Sequence, residues 1–214
     1  MEATCENCTA SNNRAARGFA AGFGLVRQIG VTNSIVLRNC VASNNTNSSI
    51  DKQVAGFAGV PLGAPVFTQP VTGTVFDNCV AENNINTVDP SLSIGFLMVH
   101  MPETIIKNCV SEGNGVGIQF DVANIVTTPP SLRSVVENNI ICNNSVAGIR
   151  DTIINTNNMY YHNTARSNGP TPLTTNYIGL PPGTPIRNWT IGAPPAAVDT
   201  NGVLDTQLDN ISAG

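Results

Sequence analysis

One octapeptide recurs along the chain and restricts its possible folds more than any other feature. Glu6-Asn7-Cys8-Thr9-Ala10-Ser11-Asn12-Asn13 returns as Arg38-Asn39-Cys40-Val41-Ala42-Ser43-Asn44-Asn45 and as Asp77-Asn78-Cys79-Val80-Ala81-Glu82-Asn83-Asn84. It returns again as Lys107-Asn108-Cys109-Val110-Ser111-Glu112-Gly113-Asn114. Two looser copies follow, Glu137-Asn138-Asn139-Ile140-Ile141-Cys142-Asn143-Asn144 and His162-Asn163-Thr164-Ala165-Arg166-Ser167-Asn168-Gly169. Counted from the leading Asn, the periods are 32, 39, 30, 30 and 25 residues. Between copies sits a Gly followed by Phe or Ile: Gly18-Phe19 or Gly22-Phe23, then Gly56-Phe57, Gly95-Phe96, Gly117-Ile118 and Gly148-Ile149. Six copies at such a period mean a solenoid, in which each repeat buries its apolar face against its neighbours.

The content of each repeat selects the kind of solenoid. Leucine-rich, ankyrin and tetratricopeptide patterns are absent, and the apolar stretches 34–37, 74–76, 104–106 and 134–136 are short and β-branched, as strands are. The 28 Asn, 19 Gly and 14 Pro among 214 residues favour turns and disfavour a helical bundle. Only 11% of residues are charged and the net charge is −4, so no basic face is available for counterion release from nucleic acid. No membrane span is expected. The start, Met1-Glu2-Ala3-Thr4-Cys5, lacks a basic segment followed by an apolar run, so no signal peptide is expected. The repeat begins at Glu6, which suggests a fragment of a longer chain.

The pattern apolar-x-Asn-[Asn/Cys]-x-small-x-x-Asn followed by Gly-[Phe/Ile] resembles the right-handed parallel β-helix repeat superfamily over residues 6–169. Its members include pectate-lyase-like and pectin-lyase-like enzymes, NosD-like periplasmic proteins, phage tailspikes and surface adhesins. The resemblance implies an all-β, right-handed parallel β-helix of about six coils over 1–169. Residues 170–214 break the repeat with Pro170, Pro172, Pro181, Pro182, Pro185, Pro194 and Pro195, and read as an irregular cap or wrapping tail. Leu204, Leu208 and Ile211 fall at the spacing of a short amphipathic helix over 203–211.

In such a fold equivalent residues stack about 4.8 Å apart. Asn7, Asn39, Asn78, Asn108, Asn138 and Asn163 are then expected to form an inward ladder, since Asn tolerates the left-handed region and its amide both donates and accepts. Cys8, Cys40, Cys79 and Cys109 become a stack of small buried thiols. Leu37, Phe76, Ile106, Val136 and Tyr161 share the ladder's parity and should point inward. Arg38, Asp77, Lys107, Glu137 and His162 should point outward as a charge ladder. Val36, Val75, Ile105, Val135 and Tyr160 share that outward parity yet are apolar, so something must cover them. Either the inserts 47–55 and 60–73 fold back over them, or the chain is a homotrimer rather than a monomer.

The sequence is less informative about chemistry. Cys5 and Cys8 form a single CxxC, and His100 and His162 lie far from it, so neither a metal nor a cofactor is expected. Glu82 and Glu112 occupy equivalent positions four residues after their ladder Asn and should project near one another at a turn. They are either two solvated carboxylates or a binding pair for glycan, Ca²⁺ or a glycosidic bond. Pectate-lyase-like catalysis implies clustered Asp ligands with an Arg or Lys base, and Lys52 and Lys107, the only two Lys, adjoin no Asp cluster. No catalytic residue is assigned. The expected function is that of a non-catalytic structural or glycan-binding β-helix, extracellular, cell-surface or virion-surface. The alternative is a polysaccharide lyase or glycoside hydrolase with its site on a coil face.

Overall fold

A computed structural model describes residues 2–25, 34–59, 73–99, 101–121, 133–151, 158–170, 176–178 and 186–189. The helix expected over 203–211 lies outside them. In each repeat the segment before the leading Asn is a strand: β1 (Glu2–Glu6), β5 (Ser34–Arg38), β9 (Val75–Asp77), β13 (Ile105–Lys107) and β16 (Val135–Glu137). The segment after it is a second: β2 (Thr9–Ser11), β6 (Val41–Ser43), β10 (Val80–Glu82), β14 (Val110–Glu112) and β17 (Ile140–Cys142). In the last repeat β19 (Met159–Arg166) runs through both positions and joins the two rows into one 12-stranded sheet, with β21 (Ile186–Trp189) paired to it. A 3-stranded sheet holds β3 (Arg14–Ala15), β7 (Thr46–Asn47) and β11 (Ile85–Asn86). A 6-stranded sheet holds β4 (Ala20–Leu25), β8 (Val54–Gly59), β12 (Ser93–Val99), β15 (Val116–Asp121), β18 (Ala147–Asp151) and β20 (Tyr177–Ile178).

Every one of these pairings is parallel, from β1 on β5 to β18 on β20. The architecture is all-β, with parallel strands in stacked sheets, as in a β-helix or solenoid. No α-helix occurs among the described residues. Strand pairing continues past residue 169, since Ile149 and Arg150 pair with Tyr177 and Ile178.

Two corners per repeat explain the abundance of Asn. Asn7, Asn39, Asn78, Asn108 and Asn138 have φ between 51° and 55°, and so does His162 at 50°. A second set follows five residues later at Asn12, Asn44, Asn83, Gly113, Asn143 and Ser167. Asn adopts this left-handed conformation more readily than residues lacking a short polar side chain. At each corner the backbone N–H bonds the neighbouring repeat, for example from Asn39 to Asp77 O at 3.1 Å and from Asn83 to Glu112 O at 3.0 Å.

The corners overturn part of the expected parity. Leu37, Phe76, Ile106 and Val136 are buried as expected, but Asn7, Asn39, Asn78, Asn108 and Asn138 are exposed. Alternation holds along a strand and fails through a left-handed residue, which turns the chain so that the next residue, Cys40, Cys79, Cys109 or Asn139, points inward. The outer Asn still stack: Asn39 Nδ2 donates to Asn7 Oδ1 at 3.1 Å and Asn78 Nδ2 to Asn39 Oδ1 at 2.8 Å. The last repeat also stands one residue out of the expected register. Asn139 bonds Asn163 at a separation of 24, so Tyr160 joins the buried Val136 column, Tyr161 pairs with Glu137, and His162 takes the corner. A one-residue slip exchanges the faces expected of Tyr160 and Tyr161, while His162 stays exposed and Asn163 stays buried as expected.

The continuous inner ladder is the final Asn of the motif. Asn13 donates to Asn45 Oδ1 at 2.8 Å, Asn45 to Asn84 at 2.7 Å, Asn84 to Asn114 at 3.0 Å and Asn114 to Asn144 at 3.3 Å. Asn144 donates to Asn168 at 2.9 Å and Asn168 to Asn176 at 2.8 Å. Each amide also serves the backbone. Asn84 Nδ2 reaches back to Ala42 O at 3.1 Å, while the Asn84 N–H donates forward to Asn114 Oδ1 at 2.9 Å.

Against this ladder lie the glycines. A Cβ on Gly56 would stand 2.9 Å from Asn84 Nδ2, 2.9 Å from Gly95 O and 3.0 Å from the Ala81 Cβ, so only hydrogen fits there. The next residue carries the core: Phe23, Phe57 and Phe96 stack at 5.1 and 4.9 Å, with Phe76 edge-on to Phe57 and Phe96. The register selects Gly22-Phe23 as the first Gly-aromatic pair, while Phe19 is exposed. By alternation the other face of the 6-stranded sheet presents Ala58 and Leu97, part of a second buried apolar cluster with Ala55, Ile94, Val116 and Ala147.

The outer apolar column is Val36, Val75, Ile105, Val135 and Met159; Val36 is buried and the rest are half-buried. The insert 47–55 is no flap over it, because it supplies the end of β7 and the start of β8. Most of the insert 60–73 lies outside the described residues.

Asn84→Ala should lower stability by about 1–3 kcal/mol, since it leaves the buried Asn45 N–H without its acceptor and breaks the amide ladder between Asn45 and Asn114. Asn78→Gly keeps the left-handed corner and should change stability by less than about 0.5 kcal/mol. Thermal melts of the two variants beside the parent check both values.

Candidate functional site

Glu82 and Glu112 end β10 and β14 and are direct partners across the parallel register. They come together as the repeat spacing requires, Glu82 exposed and Glu112 half-buried. Each carboxylate is held by an amide from a corner Asn: Asn83 Nδ2 donates to Glu82 Oε1 at 3.2 Å, and Asn143 Nδ2 donates to Glu112 Oε1 at 2.8 Å. The row continues through Ser43 on one side and Cys142 and Arg166 on the other. The result is a ledge of carboxylates and amides along one edge of the repeats. The amides of Asn83 and Asn143 are partners that a linear reading of the motif missed; the left-handed corner carries their side chains back over the strand end.

Within the outward charge row Lys107 pairs with Asp77, whereas Arg38 pairs with Glu6 of the preceding strand. Arg38 Nη1 lies 3.2 Å from Glu6 Oε1 and Lys107 Nζ lies 3.5 Å from Asp77 Oδ2, while Arg133 and Glu103 form a further pair at 2.9 Å. Solvent screens such pairs, and each contributes a few tenths of a kcal/mol at most. Lys52 pairs with Asp51 at 2.9 Å. Asp51 and Asp89 titrate below the ordinary carboxyl range, the first beside Lys52 and the second through its hydrogen bond with Ser91. Arg150 is partly buried and donates to Gln119 Oε1 and to Ser91 O at 3.0 Å. Tyr160 Oη and Asn158 Nδ2 both donate to the buried Asp151 Oδ2, at 2.9 and 3.0 Å.

The cysteines are free thiols. Cys40, Cys79 and Cys109 are buried in the core and Cys8 is half-buried, so the expected stack forms. The column then changes chemistry. Asn139 and Asn163 occupy it in the last repeats, with Cys109 N–H donating to Asn139 Oδ1 at 2.8 Å and Cys79 N–H to the Cys109 sulfur at 3.4 Å. At the other end the sulfurs of Cys5, Cys8 and Cys40 all lie within 4.8 Å of one another. The hydrogen bond with Cys8, burial and Cys40 together push the Cys5 thiol from 9.0 up to about 12.

No protein-family model matches the chain, and comparison with curated proteins and with solved structures gives no match. The class that the geometry itself defines is an all-β protein of parallel stacked sheets with a buried Asn ladder. No helix among the described residues is long and apolar enough to cross a membrane.

Burial raises the thiols of Cys40, Cys109 and Cys142 and the phenols of Tyr160 and Tyr177 above their ordinary ranges. Cys79 shifts the other way, because the hydrogen bond with Cys109 favours its thiolate. A group whose folded pKa exceeds its unfolded one supports the fold while both states hold the proton. Once the unfolded chain begins to lose that proton, the support declines. The melting temperature should therefore fall as pH rises above the ordinary thiol value of 9.0, which melts at about pH 7 and about pH 10.5 will test.

Proposed function

We propose that this chain is a non-catalytic, right-handed parallel β-helix of about six coils with a Pro-rich C-terminal appendage from residue 170. In this reading it serves as a rigid scaffold of a secreted, cell-surface or virion-surface protein and binds glycan along the Glu82–Glu112 ledge. The supporting observation is the alternation of carboxylate and amide at that edge. A sugar presents adjacent hydroxyls that each donate and accept; carboxylates accept from them, and Asn amides do both. The hydrogen bonds from Asn83 and Asn143 hold the carboxylates in place before a ligand arrives, which lowers the ordering cost of binding. The inner Asn ladder supplies the stiffness, because every repeat is tied to the next by side-chain as well as backbone bonds.

One observation favours a second reading. Glu82 and Glu112 are register partners on strands about 4.8 Å apart, a spacing from which their carboxyl groups can reach the separation of about 5–5.5 Å used by retaining glycoside hydrolases. A glycan array and a polysaccharide-cleavage screen on one sample separate the two. The scaffold reading expects glycan retention without cleavage, and a binding loss of about tenfold, or 1.4 kcal/mol, in the Glu82→Ala, Glu112→Ala double variant with an unchanged melt. Retention unaffected by that variant would remove the ledge as the site. Cleavage that disappears in Glu112→Gln would establish the hydrolase instead.

A further inference from the structure

Cys5 packs against the core where every other repeat places a bulkier side chain. Its register partner is Leu37, and the same column continues as Phe76, Ile106, Val136 and Tyr160, all bulky and buried. The neighbouring column already carries sulfur at Cys8, Cys40, Cys79 and Cys109, for which a small buried side chain is reason enough. In the first repeat alone both columns carry sulfur, and three thiols meet there. Cys79 and Cys109 have Leu37 and Phe76 beside them instead: Cys79 Sγ lies 3.5 Å from Leu37 O, and Cys109 Sγ 3.6 Å from Phe76 O.

The triangle has the dimensions of a metal site. With metal–sulfur bonds of about 2.3 Å, tetrahedral coordination places two sulfurs about 3.8 Å apart and trigonal planar coordination about 4.0 Å. Cys5 and Cys40 sulfurs are 3.9 Å apart, and Cys8 completes a set within 4.8 Å. At this distance the sulfurs are in contact and unbonded. Cys40 is buried and fixed by the fold, whereas Cys5 and Cys8 are half-buried and leave a route for an ion to enter. Among the described residues no His, Asp or Glu joins the cluster.

We propose that Cys5, Cys8 and Cys40 form a binding site for one soft, thiophilic d¹⁰ cation of the Zn(II) or Cu(I) class. Thiolate selects such ions over Mg(II) and Ca(II), which take oxygen ligands. On binding, three S–H bonds break, three metal–sulfur bonds form and three protons pass to solvent, with no change in oxidation state. Zn(II) would keep a fourth position for water, while Cu(I) is satisfied by three sulfurs. The CxxC spacing supplies two donors from one repeat, and parallel stacking delivers the third from the next. The site is independent of the glycan reading.

The test uses the full chain, reduced with a phosphine and freed of metal, and titrated with Cd(II) while the sulfur-to-metal charge-transfer absorption is followed. Saturation at one Cd(II) per chain is expected, with displacement by Cu(I), competition from Zn(II) only in large excess, and none from excess Mg(II). Cys5→Leu restores the apolar residue of its column, so it should keep the parent's circular dichroism and melt while weakening Cd(II) binding at least tenfold. Cys142→Ser should bind as the parent does. Absence of a charge-transfer band at one equivalent, binding by Cys5→Leu within about threefold of the parent, or equal loss in Cys142→Ser would each overturn the site.

Discussion

The structure depends on one interaction: a buried Asn amide that answers the backbone groups of the repeats on either side. A chain that turns inside a solenoid leaves N–H and C=O groups that no strand can pair, and each orphaned group costs about 1–3 kcal/mol. Asn45, Asn84, Asn114, Asn144 and Asn168 remove that cost. Each oxygen takes the N–H and the amide of the preceding repeat, and each nitrogen reaches an earlier carbonyl as well as the next amide. Gln would be too long, and Asp would lack the donors. Because the pattern is periodic, each repeat imposes its register on its neighbours.

The surrounding residues follow from this ladder. Gly22, Gly56, Gly95, Gly117 and Gly148 pass so close to it that a Cβ would collide with the ladder amides or their neighbours. One residue later Phe23, Phe57 and Phe96, then Ile118 and Ile149, fill the core beside it. At the first corner the same need is met in two ways. Cys79 offers its N–H to a sulfur at 3.4 Å, and Cys109 offers its own to an amide oxygen at 2.8 Å. Sulfur fills volume and accepts weakly; the amide accepts well and cross-links repeats. The column therefore passes from packing to hydrogen bonding along the chain, and its thiol end is where an extra sulfur converges.

Function is confined by the same economy of polar groups. The inner Asn are committed to the fold, and the outward charges are largely paired along the repeat axis. The polar groups best placed for a ligand among the described residues stand at the corners, where Glu82 and Glu112 are held by Asn amides. A row of carboxylates and amides repels polyphosphates and offers hydrogen bonds that hydroxyl groups can complete. The glycan reading we propose, whether scaffold or hydrolase, rests on that chemistry.

By itself the sequence determined the parallel all-β organisation, the strand before each leading Asn, the adjacency of Glu82 and Glu112 and the sulfur stack, because all of these depend only on which residues share a place in the repeat. It did not determine which Asn turned inward. Asn39 and Asn45 are the same residue type, and their roles separate only where a left-handed corner interrupts the alternation of the strand. Nor could it align the last repeat, whose period of 24 rather than 25 carries Tyr160 into the core and His162 to a corner. The convergence of Cys40 on Cys5 and Cys8 was likewise decided by tertiary structure. Residues more than thirty apart become neighbours only when parallel strands stack about 4.8 Å apart, and that distance is a property of backbone hydrogen bonding between repeats.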